Sequence, residues 1–123
     1  MEKKFNITFN ENEKFYRAYV ELLKPFLKGI RDREADVLAQ LLYHNNARKE
    51  IVDKADRFKL ILTPDSRRII ESKLNISTAI FRNALTGLRN KGILREDNTL
   101  SDTLLVYPVD KKIKLEFNFV IEN

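Results

Sequence analysis

The chain has 123 residues, 43% hydrophobic and 33% charged, with 23 Lys and Arg against 18 Asp and Glu and a net charge of +5. That length suits one domain with a core of its own, and the balance is that of a globular chain rather than a disordered one. The absence of Cys excludes a disulfide framework and a thiolate metal site and suits a reducing cytoplasm. No apolar run approaches the roughly 20 residues that span a bilayer, and the opening MEKKFNITF has no signal-peptide core.

Phe5, Ile7 and Phe9 alternate with polar residues and predict a short, half-buried strand. Asn10 can cap a helix whose inward residues are Phe15, Ala18, Tyr19, Leu22, Leu23 and Phe26. Pro25 predicts a kink or an end near Lys24, with Gly29 closing the segment. A helix over 33–44 presents Val37, Leu38, Leu41 and Leu42, with Asp32 as its cap and Asn45 and Asn46 as its stop. Segment 46–57 is charged and shows no clear period. Phe58 to Leu62 reads as a short strand, after which Thr63 and Pro64 open a helix. That helix is expected to bury Ile69, Ile70 and Leu74 while Arg68 and Ser72 face away.

Residues 74–94 then read as a helix end, a tight turn, a capped second helix, a Gly stop and a resuming apolar run, the order of a helix-turn-helix. Ser77 is the cap, Lys91 lies in the last turn, and Gly92 sits where a left-handed residue ends the helix. At 100° per residue Ile80, Phe81, Ala84, Leu85 and Leu88 share one apolar side. Ala79, Arg82, Asn83, Thr86 and Asn90 hold the other, with Thr78 and Arg89 at its edge and no carboxylate on it; Thr78 joins the first five as a candidate. Arg can bind guanine, Asn adenine, and the Thr methyl can meet the thymine methyl, so these six are the candidate base-reading residues. The same face is also what a plain polar helix surface that happens to lack acids would show.

The last quarter reads as strands. Leu104 to Val109 forms one arm with Pro108 at an edge or bulge, and Asp110-Lys111 is a turn. Ile113, Leu115, Phe117, Phe119 and Ile121 alternate in the second arm. This final strand either closes a small sheet with the N-terminal strand or is donated to a neighbouring subunit.

Charge is concentrated on the helix-turn-helix. From Arg67 to Arg95 there are seven bases and one acid, a surplus of six, so the rest of the chain sums to about −1. Arg67, Arg68, Lys73, Arg89, Lys91 and Arg95 are the candidate phosphate-binding residues, whose charge would release counterions on binding. A modest positive charge also serves solubility.

READVLAQLL (33–42), TPDSRRIIESKLNIS (63–77), FRNALTGLRNKGIL (81–94) and the polar turn REDNT (95–99) resemble a winged helix-turn-helix domain of the MarR-like or phage- and plasmid-encoded kind. The resemblance covers 32–105 and implies binding of double-stranded DNA through the second helix of the motif and the wing, often as a homo-oligomer. Two departures stand out. Arg31 occupies the position where such domains carry a Thr or Ser cap, and the wing offers only Arg95, beside Glu96 and Asp97. The fold also recurs as a protein-interaction module.

The expected fold is therefore α+β, a winged helix-turn-helix of about four helices with a wing and a small antiparallel sheet from the N- and C-terminal strands. It is read as one domain over 1–123, with the N-terminal strand and helix in 1–29, the motif in 30–105 and the C-terminal strand in 106–123. An enzyme is not expected. His44 is the only His, near a helix end where a cation is mildly stabilising, and the glycines at 29, 87 and 92 are isolated. The pairs Asp53/Asp56 and Glu96/Asp97 read as solvated loops, so no metal and no cofactor is expected. Two functions stay open. One is a cytoplasmic transcriptional or replication regulator that binds duplex DNA. The other is a virion structural or adaptor protein of a phage, meeting assembly partners through the terminal strands. Neither involves a membrane.

Overall fold

The computed structural model describes residues 2–10, 13–27, 29–105 and 112–120, the two terminal strands by their backbone alone. In chain order these are β1 (Glu2–Asn10), α1 (Glu13–Leu23), a 3-10 turn (Lys24–Phe26), α2 (Asp32–Ala47), α3 (Lys54–Ile61), α4 (Pro64–Leu74), α5 (Thr78–Asn90) and β2 (Lys112–Val120). The body from α1 to residue 105 is five helices with one isolated bridge, Leu94 to Leu100, and no sheet, which corrects the expected α+β class. β1 and β2 pair antiparallel with each other, Phe5 opposite Phe117, Ile7 opposite Leu115 and Phe9 opposite Ile113. They form a two-stranded ribbon. The ladder partner of the C-terminal strand is thus the N-terminal strand of the same chain.

The centre of the body is α2, which packs against α1, α3, α4 and α5. It buries Ala35, Val37, Leu38, Ala39, Leu41 and Leu42, against which Phe15, Tyr16, Phe58, Ile61, Ile70, Phe81, Leu85 and Leu88 close the core. A helix buried on several sides loses the one-sided pattern of a surface helix, so it also encloses polar residues, Glu34, Gln40, Asn45 and Asn46. It begins one residue earlier than expected: Arg31 is the cap, and Glu34 Oε1 accepts its N–H at 2.8 Å. The far end runs past the expected stop to Ala47. Buried Arg57 explains this, donating from Nε to Asn45 Oδ1 at 2.9 Å and from Nη1 to the Ile51 carbonyl at 2.7 Å. A tertiary hydrogen bond thereby overrides the preference of Asn for a helix stop.

His44, in the same stretch, is corrected too. Burial first, and then the charge of Arg48, hold its imidazole below the ordinary range, so at neutral pH it is an uncharged ring rather than a stabilising cation. It packs edge-on against Tyr43.

The expected strand over 58–62 is part of helix α3. Asp53 caps it, accepting the Asp56 N–H at 3.2 Å. Its buried positions Phe58 and Ile61 stand three apart, whereas alternation would have buried Leu60, which is 46% exposed. In α4, Thr63 caps and Pro64 leads as expected, but only Ile70 of the two isoleucines is buried. Ile69 is 51% exposed, and Leu74 packs partly buried at the edge of the core. α1 ends at Leu23 just before Pro25, as the sequence predicts, and Phe26 is exposed rather than inward.

The arm expected from Leu104 is a turn in its first two residues, with the Leu104 N–H on the Ser101 carbonyl at 3.0 Å. Its remainder, with Pro108 and the Asp110-Lys111 turn, lies outside the described residues, as does Ile121. Tyr19 Oη donates to the Leu104 carbonyl at 3.1 Å and ties this segment back to α1.

α5 seats on α2 through Phe81, Ala84, Leu85 and Leu88. Leu85 is 1% exposed, so Leu85→Asp should place an unpaired carboxylate in the core and cost more than about 4 kcal/mol. Arg82→Asp, on the exposed face, should change stability by no more than about 0.5 kcal/mol. Thermal melts followed by circular dichroism check the pair. Equal melting of the two variants would contradict the seating of α5.

Candidate functional site

The turn between α4 and α5 is three residues long and fixed from both sides. Asn75 adopts the left-handed conformation at φ 54°, which Asn tolerates better than most residues. Ile76 follows, partly buried, with its N–H on the Glu71 carbonyl at 3.0 Å. Ser77 Oγ then accepts the Ile80 N–H at 3.2 Å and starts α5. Thr78 Oγ1 donates to Glu71 Oε1 at 2.7 Å, so the one acid in the basic window is spent on bracing the two helices.

All six candidate base-reading residues are exposed: Thr78, Ala79, Arg82, Asn83, Thr86 and Asn90. The inner side is buried as expected, except that Ile80 stands at its margin, 40% exposed. The Thr78 hydroxyl is engaged with Glu71. Among the described residues the Arg82 guanidinium has no hydrogen bond or ion pair, and it stands on a surface without a carboxylate of its own helix.

The six candidate phosphate-binding residues divide. Arg67 and Arg68 line one groove with Leu62, Pro64, Glu71 and Thr78, between the starts of α4 and α5. Arg67 Nε is held by the Leu62 carbonyl at 2.8 Å, which fixes the side chain and leaves its charge uncompensated. Arg68 lies 3.5 Å from Asp65, both well exposed. Lys73 points elsewhere: it pairs with Glu13 of α1 and lies 5.2 Å above the Tyr43 ring. Lys91 pairs with Glu34 of α2. These two internal pairs take the surplus of the window from six to about four.

Arg89, at the end of α5, and Arg95 meet at the tight turn closed by the Leu94–Leu100 bridge, where a wing was expected. Asp97 Oδ1 accepts the Thr99 N–H at 3.0 Å and its hydroxyl at 2.6 Å, which holds the Asp97 carboxyl below the usual carboxylate range. Asn98 is left-handed at φ 64°, and Arg89 forks onto its Oδ1 at 3.0 and 2.7 Å. Arg89 therefore locks the turn to α5 while its charge stays unpaired. Arg95 is exposed beside Asp97. Of the acid pairs weighed above, Asp53 serves as a helix cap and Asp97 as a turn brace. No group of three His, Asp or Glu residues among those described gathers in a way that could hold a metal ion.

Two residues that position α5 were not legible beforehand. Gly87 lies in the middle of α5, and a Cβ on it would lie 2.9 Å from Glu34 Cδ and closer still to its Oε2. Glu34, 6% exposed, thus lies against the helix backbone, where it accepts from Lys91 and from the Arg31 N–H. The pattern Arg-Asp-Arg-Glu before an apolar helix contains half of a capping box, the Glu34 carboxylate on the Arg31 N–H, but nothing in it says which helix receives the carboxylate.

No helix among the described residues is long and apolar enough to cross a membrane. No known family, curated protein or solved structure matches this chain.

Burial raises the Glu34 carboxyl, but the hydrogen bonds from Lys91 and Arg31 outweigh it and hold its pKa below the usual range. A carboxyl depressed in the fold stabilises fully above its unfolded pKa of about 4.3, and that stability is lost as pH falls through the folded value. Glu34→Gln should therefore cost about 1–2 kcal/mol at pH 7, and the deficit should shrink as the pH falls through the depressed folded value and the parent carboxyl is itself protonated. Melting curves from pH 7 down into the acid range check this; a deficit that stays constant throughout would contradict the pairing.

Proposed function

We propose that the protein binds duplex DNA through α5, with α4 and the α4–α5 turn carrying it against the backbone, in the manner of the MarR-like helix-turn-helix proteins it resembles. The observation that supports this most is the outer face of α5. It is exposed along its whole length, carries Arg, Asn and Thr without an acid, and presents Arg82 unpaired. Arg82, Asn83, Thr86 and Asn90 are the residues for base edges, with Ala79 and the Thr78 methyl for apolar contact. Arg67, Arg68, Arg89 and Arg95 are the phosphate contacts. Lys73 and Lys91 leave that set because their charges are spent on Glu13 and Glu34. A transcriptional or replication regulator is the role such a surface suits.

The alternative, a protein-contact role in an assembly, has Ile69 and Ile80 in its favour, both substantially exposed on the same unit. The pairing of β2 with β1 of its own chain gives no support to a donated strand.

A salt titration on random-sequence duplex should give log K falling with log salt, with Arg67, Arg68, Arg89 and Arg95 together contributing about −3 to −4 to the slope, near 0.9 per phosphate contact. Arg82→Ala should lose about 1–3 kcal/mol on a selected site and far less on random DNA. Absence of binding at low salt would overturn the DNA reading and put the exposed isoleucines first.

A further inference from the structure

α2 starts beside α5, and the two helices form a cleft lined by Arg31, Arg33 and Glu34 on one wall and Ile80, Asn83 and Ala84 on the other. The start of α2 carries three carboxylates, and each is already engaged. Asp32 accepts from Lys24 Nζ at 2.6 Å, Asp36 from Arg17 Nε at 2.7 Å, and Glu34 from Lys91. Arg33 comes no nearer than 3.9 Å to Asp36, which Arg17 already holds. Arg31 adds its field to Glu34 but makes no side-chain hydrogen bond among the described residues. Both guanidinium groups are exposed. Two under-compensated cations therefore flank a cleft whose opposite wall holds Asn83, a residue of the reading face.

An anionic partner entering that cleft would meet both arginines at once. A planar guanidinium, always charged and with donors in a fixed fork, suits phosphate oxygens. We propose that Arg31 and Arg33 grip the DNA backbone on the α2 side of α5, opposite the groove of Arg67 and Arg68, so that phosphates are held on both flanks of the reading helix. This rests on the DNA reading and adds to it a pair of contacts outside the basic window 67–95.

The test is a salt titration of the Arg31→Ala/Arg33→Ala double variant on random-sequence duplex, run beside the parent, Arg82→Ala and the Arg31→Lys/Arg33→Lys variant. Loss of two phosphate contacts should make the parent's fall in affinity between about 50 and 200 mM salt roughly tenfold steeper than the double Ala variant's. The Ala variant should weaken equally on every sequence, and the Lys variant should recover most of the slope. An unchanged slope in the Ala variant, with Arg82→Ala still losing its selected site, would overturn the grip and leave α5 as the reader. A parent that binds no duplex at low salt would overturn both.

Discussion

α5 can turn a continuous polar face outward only if its inner face is held close to α2, and the closest hold is the lodging of Glu34 against Gly87. A glycine inside a helix costs about 1 kcal/mol relative to Ala, so its place there needs a reason. The reason is space: Glu34 Cδ would be 2.9 Å from a Cβ at that position. In the gap the carboxylate caps the start of α2 through Arg31 and receives Lys91 from the end of α5. One carboxylate thus fixes where α2 begins, how near the two helices lie and where the last turn of α5 points. The apolar residues of the pair, Leu38, Leu41, Phe81, Leu85 and Leu88 among them, supply the bulk of the burial, but they do not by themselves set this separation.

The same contact redistributes charge. Counting along the chain assigns Lys91 and Lys73 to a basic surface, whereas the fold brings Glu34 and Glu13 to them from elsewhere in sequence. What stays outward is a set of arginines whose hydrogen bonds go to neutral groups, Arg67 to a carbonyl and Arg89 to Asn98. Such bonds orient a guanidinium without cancelling its charge, which is the condition for a rigid anion contact. Arg31 and Arg33 extend that set across the cleft, because the carboxylates around them are already held.

Local signals were legible wherever chemistry within four or five residues decides the structure. Ser77 and Thr63 as caps, Pro64 at a helix start, Pro25 at a helix end and Gly92 as a stop all follow from the sequence, as does the division of α5 into two faces. Failures came where distant residues decide. Asn45 and Asn46 remain helical because Arg57 reaches Asn45, and Phe58 to Ile61 is helix because its apolar residues meet α2 three apart rather than in alternation. Ile69 stays outside although its sequence neighbour Ile70 is in, since α4 buries only a narrow stripe through Ser66 and Ile70 and Ile69 is turned about 100° away from it. The α+β reading failed for a related reason: the stretch over 58–62 and the turn over 95–104 count toward strands along the chain, while the body from α1 to residue 105 is helical with a single isolated bridge. The exposed face of α5 was legible because it lies within one helix; the cleft with Arg31 and Arg33 was not, because α2 and α5 meet only in the fold.

The central claim is that the outer face of α5, flanked by α2 and α4, is the surface that meets nucleic acid. Amide and side-chain NMR shifts during titration with a short duplex at low salt test it most directly. Perturbations should concentrate on Thr78, Ala79, Arg82, Asn83, Thr86 and Asn90, extend to Arg31, Arg33, Arg67 and Arg68, and leave Lys73 and the α1 surface unmoved. Shifts centred on Ile69 and Leu60 with α5 silent, or no shifts at any residue, would contradict it.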